Sequence, residues 1–531
     1  MSTRIVGAGL SVAGLLLVAA GPTRAQSFRV QCPSSTITHP TAASNNSEPA
    51  YAGPTYSGTN GYPSAPAHVN GAIKCQQISG GDGYATMGDG TQTYLFSFGP
   101  LSGLADMAKG LPGTQFPNVF NQVYAGVALR PGDPATTDGG TTSANLAIFT
   151  YNGAIGLVPD ADNGNVIDGH VDPRQIMDVG VMNGNIPAPL MAIDEDDEFF
   201  LTLTNVGMIM RPDLFEQHTV HFHGYPNASS FYDGVPDASV AINIGGSYTY
   251  YYLAPDAGTY FWHCHITPPE HLQMGMVGQI YVRPRQNRVT TGSLYAALQQ
   301  QELDLRTKCD ASDIVCSNPL PADLGILPGK TSATLAVAGV KYAYNDGDGS
   351  TAYDVEYPLQ IHGFDPNFHF VGMTFNPEGF ADMKDKYFLL NGRSYPDTVT
   401  AGPLETQSVD GSYHFSQPLP SIINIPAGKR ALLRLSDLDV TEYQTLASLG
   451  IPMKVVGYNA KLLRDQAGNN LYYTTNSITL GGGESLDLIL DASDTTKYPA
   501  GSVFYLYTPN LDHLSNDAEN FGGLMTEIRI N

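Results

Sequence analysis

The sequence predicts an all-β protein: two Greek-key β-sandwich domains behind an irregular N-terminal extension. Three observations carry the prediction. Fifty-seven glycines and 37 prolines stand against only 14% charged residues, a balance that favours many turns and short strands. Short apolar runs bounded by turn residues recur at Phe199–Leu203, His218–His223, Ser247–Leu253, Thr259–His265 and Val277–Val282. Motifs of the first half also return, in the same order, in the second. At 531 residues and 42% hydrophobic content, the chain is long enough for more than one core.

Residues 1–25 read as a secretory signal. Arg4 supplies the positive charge, an apolar run follows from Ile5 to Ala20, and Thr23-Arg24-Ala25 offers a cleavage site. No later segment reaches about 18 uninterrupted apolar residues, so no membrane span is expected after cleavage. Export places the protein in the periplasm or outside the cell. Loss of Arg4 and Arg24 takes the net charge from −24 to −26. That acidity argues against nucleic acid and anionic lipid as partners.

Residues 26–90, rich in Ser, Thr, Asn, Pro and Gly, read as an irregular extension. The first sandwich is expected over 91–285, opening with a strand at Thr93–Phe98 and carrying a long insertion to about Asp178. The acidic run Asp194–Glu198 reads as a solvated turn leading into the Phe199 strand. Residues 286–334 form a connection, with helical spacing in Ser293–Leu305, and 335–531 form a second sandwich. Asn183-Gly184 with Pro187 is matched by Asn391-Gly392 with Pro396. Gly245-Gly246-Ser247 is matched by Gly482–Ser485, and Gly258–Trp262 by Gly501–Tyr505. Duplication of one domain explains all three.

An oxidising destination turns paired cysteines into disulfides. Cys309 and Cys316 enclose a short loop and are natural partners, which leaves Cys32 with Cys75. Cys264 is the odd one, and it lies between two histidines. Metal ligation is the best explanation for an unpaired exported thiol.

Two stretches hold five of the thirteen histidines: His218-Thr219-Val220-His221-Phe222-His223 and His263-Cys264-His265. Side chains alternate across a strand. If the strands are neighbours, His218 and Cys264 form one group, joined by His271 and Met276 from the following loop. His221, His223, His263 and His265 form a second. Two His, one Cys and one Met are the ligand set of a blue-copper site. The four imidazoles could ligate further copper, with electrons passing from Cys264 to His263 or His265 through a few bonds.

From Asn183 to Pro284 the chain resembles a cupredoxin domain of the multicopper oxidase family. HxxHxHG, DGVP at Asp233–Pro236, GTYFWHCH at Gly258–His265 and HLQMGMVGQIYV at His271–Val282 occur in order. By that resemblance His218, Cys264, His271 and Met276 bind type 1 copper, His221 faces a type 2 ion, and His223, His263 and His265 face a type 3 pair. Two departures stand out. His271 is seven residues after Cys264 where the family usually has five, a longer loop that also resembles copper nitrite reductases. The second half has Leu506-Tyr507-Thr508 in place of His-Cys-His and no histidine in Thr445–Val456, so it lacks copper ligands. Its histidines are His362, His369, His414 and His513, and His362 and His369 are the candidates to complete a centre.

The expected activity is that of a copper oxidoreductase. Single electrons arrive at His271, taken as an edge near the surface, and reach the four-histidine face through Cys264. The donor is a small molecule, a metal ion or a redox protein, and a homo-oligomer is possible. A non-enzymatic electron carrier and a copper-storage or structural protein are the alternatives.

Overall fold

The structure, a computed structural model, describes residues 73–100, 184–288 and 339–531, apart from short breaks at 196, 209, 212–213, 225–229, 255, 373–378, 402–403, 408–412, 418 and 466. The signal segment, the Ser293–Leu305 helix, the long insertion and the side chains of Cys32, Cys75, Cys309 and Cys316 lie outside the described residues.

Eight strands build the first sandwich. They are β1 (Ile73–Thr86), β2 (Gln92–Pro100), β3 (Met191–Asp194), β4 (Glu198–Gly207), β5 (His221–Phe222), β6 (Ser247–Leu253), β7 (Gly258–His263) and β8 (Val277–Arg283). One sheet runs β2-β1-β4-β6 and the other β3-β8-β7-β5. Phe96, Phe98, Leu201, Leu203, Tyr250, Trp262 and Ile280 fill the space between them. The Trp262 ring stacks on Phe98 at 5.2 Å and on Phe222 at 5.9 Å. Burying each such aromatic contributes roughly 2–3 kcal/mol. A Cβ on Gly278 of β8 would stand 2.8 Å from the Trp262 ring nitrogen, so only glycine lets the indole lie flat there.

Two expectations are corrected. Ile73–Thr86, placed by composition in the irregular extension, is a fourteen-residue strand parallel to β4 and antiparallel to β2. Its glycines lower strand propensity, but close approach requires them: a Cβ on Gly83 would overlap the Gly184 carbonyl. Asp194, Glu195, Asp197 and Glu198 of the acidic run are buried, not solvated. Asp194 pairs with Arg283, and the Glu195 carboxylate accepts from the Ala257 and Arg285 amides and the Asn345 side chain. Buried carboxylates persist when paired and hydrogen-bonded, as these are.

The second sandwich repeats the first. Tyr387–Leu390, Val355–Phe364, Arg430–Asp437 and Ser485–Asp491 are adjacent in that order, with the same parallel and antiparallel senses as β2-β1-β4-β6. Ile423–Ile425, Met525–Ile530, Val503–Tyr507 and Gln444–Leu449 repeat β3-β8-β7-β5. Buried Arg434 lies where the second sandwich meets the first. It pairs with Glu356 at 3.0 Å and Asp487 at 3.4 Å, and lies 4.6 Å over the Tyr281 ring of β8. Thr259 of β7 donates to Asp487 at 2.6 Å. Among the described residues, no helix is long and apolar enough to cross a membrane.

Candidate metal centre

His218 precedes β5 and is fixed by a two-way backbone bridge to Ile242. Its ring lies against β1, where a Cβ on Gly80 would stand 2.7 Å from His218 Cδ2. Cys264 follows β7, and its amide donates to the Met276 carbonyl at 3.0 Å. His271 sits on a short helix, Pro268–Gln273, entered through Thr267 at φ 38°. The Met276 amide returns to the His271 carbonyl at 2.8 Å. The structure thus gathers the four residues on neighbouring backbone, all fully buried. Donor atoms of His218, Cys264 and His271 lie within 4.8 Å of one another, with His271 Nδ1 at 3.3 Å from Cys264 Sγ.

These residues fit a thiophilic metal ion. Cys264 is a free thiol, and both ring nitrogens of His218 are buried without a hydrogen-bond partner. Burial, then His271, holds the His218 pKa well below its ordinary value, which leaves a neutral ring with a lone pair. Burial opposes ionisation of Cys264, but His271 and the Thr219 amide overcome it and hold the thiol below its usual range. Burial alone would lower His271; the Cys264 charge and Glu216 push it up to about 9.

Here one expectation fails. His271 is not a surface edge: its side chain is wholly buried, and its Nε2 faces the Glu216 carboxylate at 3.6 Å. Sequence reasoning missed Glu216, because nothing in its spacing relates it to a residue 55 positions along the chain.

On the other face of β7, His221 stands opposite His263 in register. Their rings lie 5.3 Å apart, and His265 is 5.1 Å from His221. His223 Nε2 and His263 Nε2 are 3.0 Å apart. His263 Nδ1 lies 2.6 Å from the Cys264 carbonyl and His221 Nδ1 lies 2.6 Å from the Asp233 carbonyl. A ring nitrogen facing a carbonyl carries the proton, so both rings present Nε2 as the lone pair. Asp233 was legible as part of DGVP, though not its role as holder of His221. Burial first, then the neighbouring rings, lowers His223 to about 4, and burial holds His263 well below its ordinary value.

No second-sandwich histidine among the described residues joins this face. The Gly481–Gly483 turn roofs it: the Cβ position of Gly483 is 3.4 Å from His223 Cε1. Leu506 lies opposite Ser448 on the strands that repeat β7 and β5. The candidates His362 and His369 instead reach carbonyls of the first sandwich, Leu272 and Tyr94. His513 bonds Gln444 and stacks on Phe388, and His414 lies on the strand Tyr413–Ser416.

Residues 165–287 match the multicopper oxidase family model. Laccase abr2 of Aspergillus fumigatus is 32% identical over 127 residues, which are 24% of this chain and 20% of that protein. The copper-containing nitrite reductase of Rhizobium meliloti is 32% identical over 130 residues, 22% of this chain and 31% of that one. The chain thus spans less than a third of the length of either relative. The solved multicopper oxidase mgLAC covers 86% of both chains at 15% identity, with a TM-score of 0.47. Residues 165–287, which hold both donor groups, are thus the part of this chain that is similar to the multicopper oxidases.

Proposed function

We propose that the chain is an exported copper oxidoreductase that takes single electrons at a type 1 site and passes them to a histidine-bound copper centre. His218, Cys264, His271 and Met276 hold the first site. His221, His223, His263 and His265 hold the second. Copper, when bound, supplies reversible one-electron chemistry. The observation that carries the reading is the position of Cys264. Its Sγ faces one donor group, its backbone continues directly into His263, and the His263 ring is locked to the Cys264 carbonyl. One residue therefore belongs to both groups, and an electron leaving the thiolate meets His263 Nε2 through a short covalent and hydrogen-bonded path.

The remaining residues position and insulate. Thr219 donates its amide to Cys264 Sγ at 3.4 Å and its hydroxyl receives the His265 amide at 3.0 Å, which fixes the two faces relative to each other. Phe96, edge-on to His271 at 5.1 Å, excludes water from that ring. Glu216 covers the His271 edge, so the donor delivers its electron across this carboxylate. An acidic rim suits a cationic metal ion, a small organic donor or a basic redox protein. A first sandwich that ends near residue 285, a connection over 286–334, a second sandwich over 335–531, the disulfides Cys32–Cys75 and Cys309–Cys316, and a periplasmic or extracellular location belong to the same proposal. So does assembly into a homo-oligomer, in which a neighbouring chain adds ligands to the half-built histidine face.

Copper counting with visible and EPR spectra tests the reading, on wild type and on His263→Ala with His265→Ala. The wild type should bind more than one copper, and the double variant should lose the non-blue signal and keep the blue one. A wild type that binds one copper and is matched by the double variant in spectrum and electron-transfer rate is an electron carrier, not an oxidoreductase.

A further inference from the structure

The residues between His271 and Met276 are held from outside their own sandwich. His362, on the strand Val355–Phe364, places Nε2 2.9 Å from the Leu272 carbonyl. His369, on the helix Pro366–Gly372, places Nε2 2.9 Å from the Gln273 carbonyl and Nδ1 2.6 Å from the Tyr94 carbonyl of β2. The Gln273 side chain is pinned at both ends: its Oε1 accepts from the Asp365 amide at 3.1 Å and its Nε2 donates to Asp385 at 2.9 Å. From within the first sandwich, Ser97 of β2 donates to the Gly275 carbonyl. The holders are themselves rigid. His362 and His369 are both buried, and His369 stacks on Phe364 with centroids 3.7 Å apart.

We propose that the second sandwich, which among the described residues supplies no ligand to the first site, serves as its outer clamp: His362 and His369 are positioning residues that hold the 272–273 backbone and thereby place His271 and Met276. The proposal rests on the type 1 reading of those two residues. Its physical basis is that a loop of four residues between two ligands transmits any backbone shift to both. The clamp also explains why these buried histidines are turned toward backbone carbonyls of the first sandwich. Two carbonyls flank the His369 ring, which favours a proton on each nitrogen, whereas burial pushes its pKa down to about 3. In either form the ring donates to at least one of them.

His362→Phe and His369→Phe keep the ring volume and remove the donors. In the metal-free full chain, amide hydrogen exchange of the 272–277 segment should rise about tenfold while β7 is unchanged. In the copper-loaded chain, copper release to a chelator should quicken about tenfold, in line with the usual weight of outer-shell partners, and the thiolate-to-copper band should shift. His362→Gln, which restores a donor, should return both readouts toward wild type. Thr259→Val weakens the contact between the sandwiches at Asp487 without touching residues 272–275. It should lower the unfolding temperature and leave loop exchange as it was. If His369→Phe does not fold, His369→Gln keeps a donor for one carbonyl and should exchange at an intermediate rate. Wild-type exchange in the folded variants overturns the clamp, whether or not the protein is blue. A colourless copper-loaded wild type overturns the type 1 reading and leaves the exchange result to decide the clamp.

Discussion

Replacing Arg434 with methionine tests the buried charge cluster of the second sandwich that faces Tyr281 of the first. Arg434 is fully buried, with Glu356 and Asp487 at 3.0 and 3.4 Å and the Tyr281 face at 4.6 Å. Methionine fills similar volume, so the change chiefly removes charge and leaves two buried carboxylates without their cation. Asp487 retains the Thr259 and Tyr344 hydroxyls as donors, and Glu356 retains the Tyr353 hydroxyl. Three neutral donors do not replace a guanidinium, and breaking a buried pair from one side costs about 3–5 kcal/mol. Spread over a domain of this size, that lowers the unfolding temperature by on the order of 6–20 °C. Urea denaturation of wild type and Arg434→Met at pH 7 measures the loss, and the thermal transition measures the shift in unfolding temperature. A deficit below about 1 kcal/mol, the range of an exposed pair, refutes the reasoning.

Other outcomes follow from the site and the core. Cys264→Ser should abolish the visible absorption of the copper-loaded protein while circular dichroism shows the fold intact. Gly80→Ala should destabilise the protein by about 1–3 kcal/mol, the cost of overpacking, because the new methyl would stand 2.7 Å from His218 Cδ2. It should also shift the visible band, since the ring it displaces is a ligand. Asp437 is pushed well above the ordinary carboxylate range, first by burial and then by Asp439. Its folded form therefore holds a proton that the unfolded chain releases. The stability it contributes is complete below the unfolded pKa and is lost as the pH rises through the folded one. Asp437→Asn should flatten this decline and be more stable than wild type at neutral pH, as denaturation across the pH range will show.

The alternation of residues from Ser247 to Leu253 made β6 legible to the residue, and the facing of His221 and His223 against His263 followed from parity alone. What escaped was set by close approach and by long-range pairing. Gly80 and Gly83 read as loop residues, yet they mark where His218 and Gly184 press on β1. The acidic run Asp194–Glu198 read as solvent-facing because its partners Arg283, Arg285 and Asn345 arrive from far along the chain. His362 and His369 had the right residue type for ligands, but the interface between the sandwiches, which no local pattern reveals, turned them toward carbonyls. The burial of His271 was hidden for the same reason, since Glu216 covers it from another loop.

The parallel pairing of β1 with β4 joins Ile73 to Glu198, strands separated by more than a hundred residues of chain. Closing so long a loop is entropically unfavourable until other contacts offset it, so this pairing is expected to form late in folding. The His218 ring rests on Gly80 of that strand, and Phe96, which walls His271, stands on its hairpin partner β2. On that expectation the chamber for the first site is enclosed late. Metal uptake should then report on completed topology: a chain that has collapsed without threading β1 beside β4 lacks the wall behind the His218 ring and beside His271, and should stay colourless. The blue band can serve as a clock for the final docking step, read against the earlier gain of β-sheet signal.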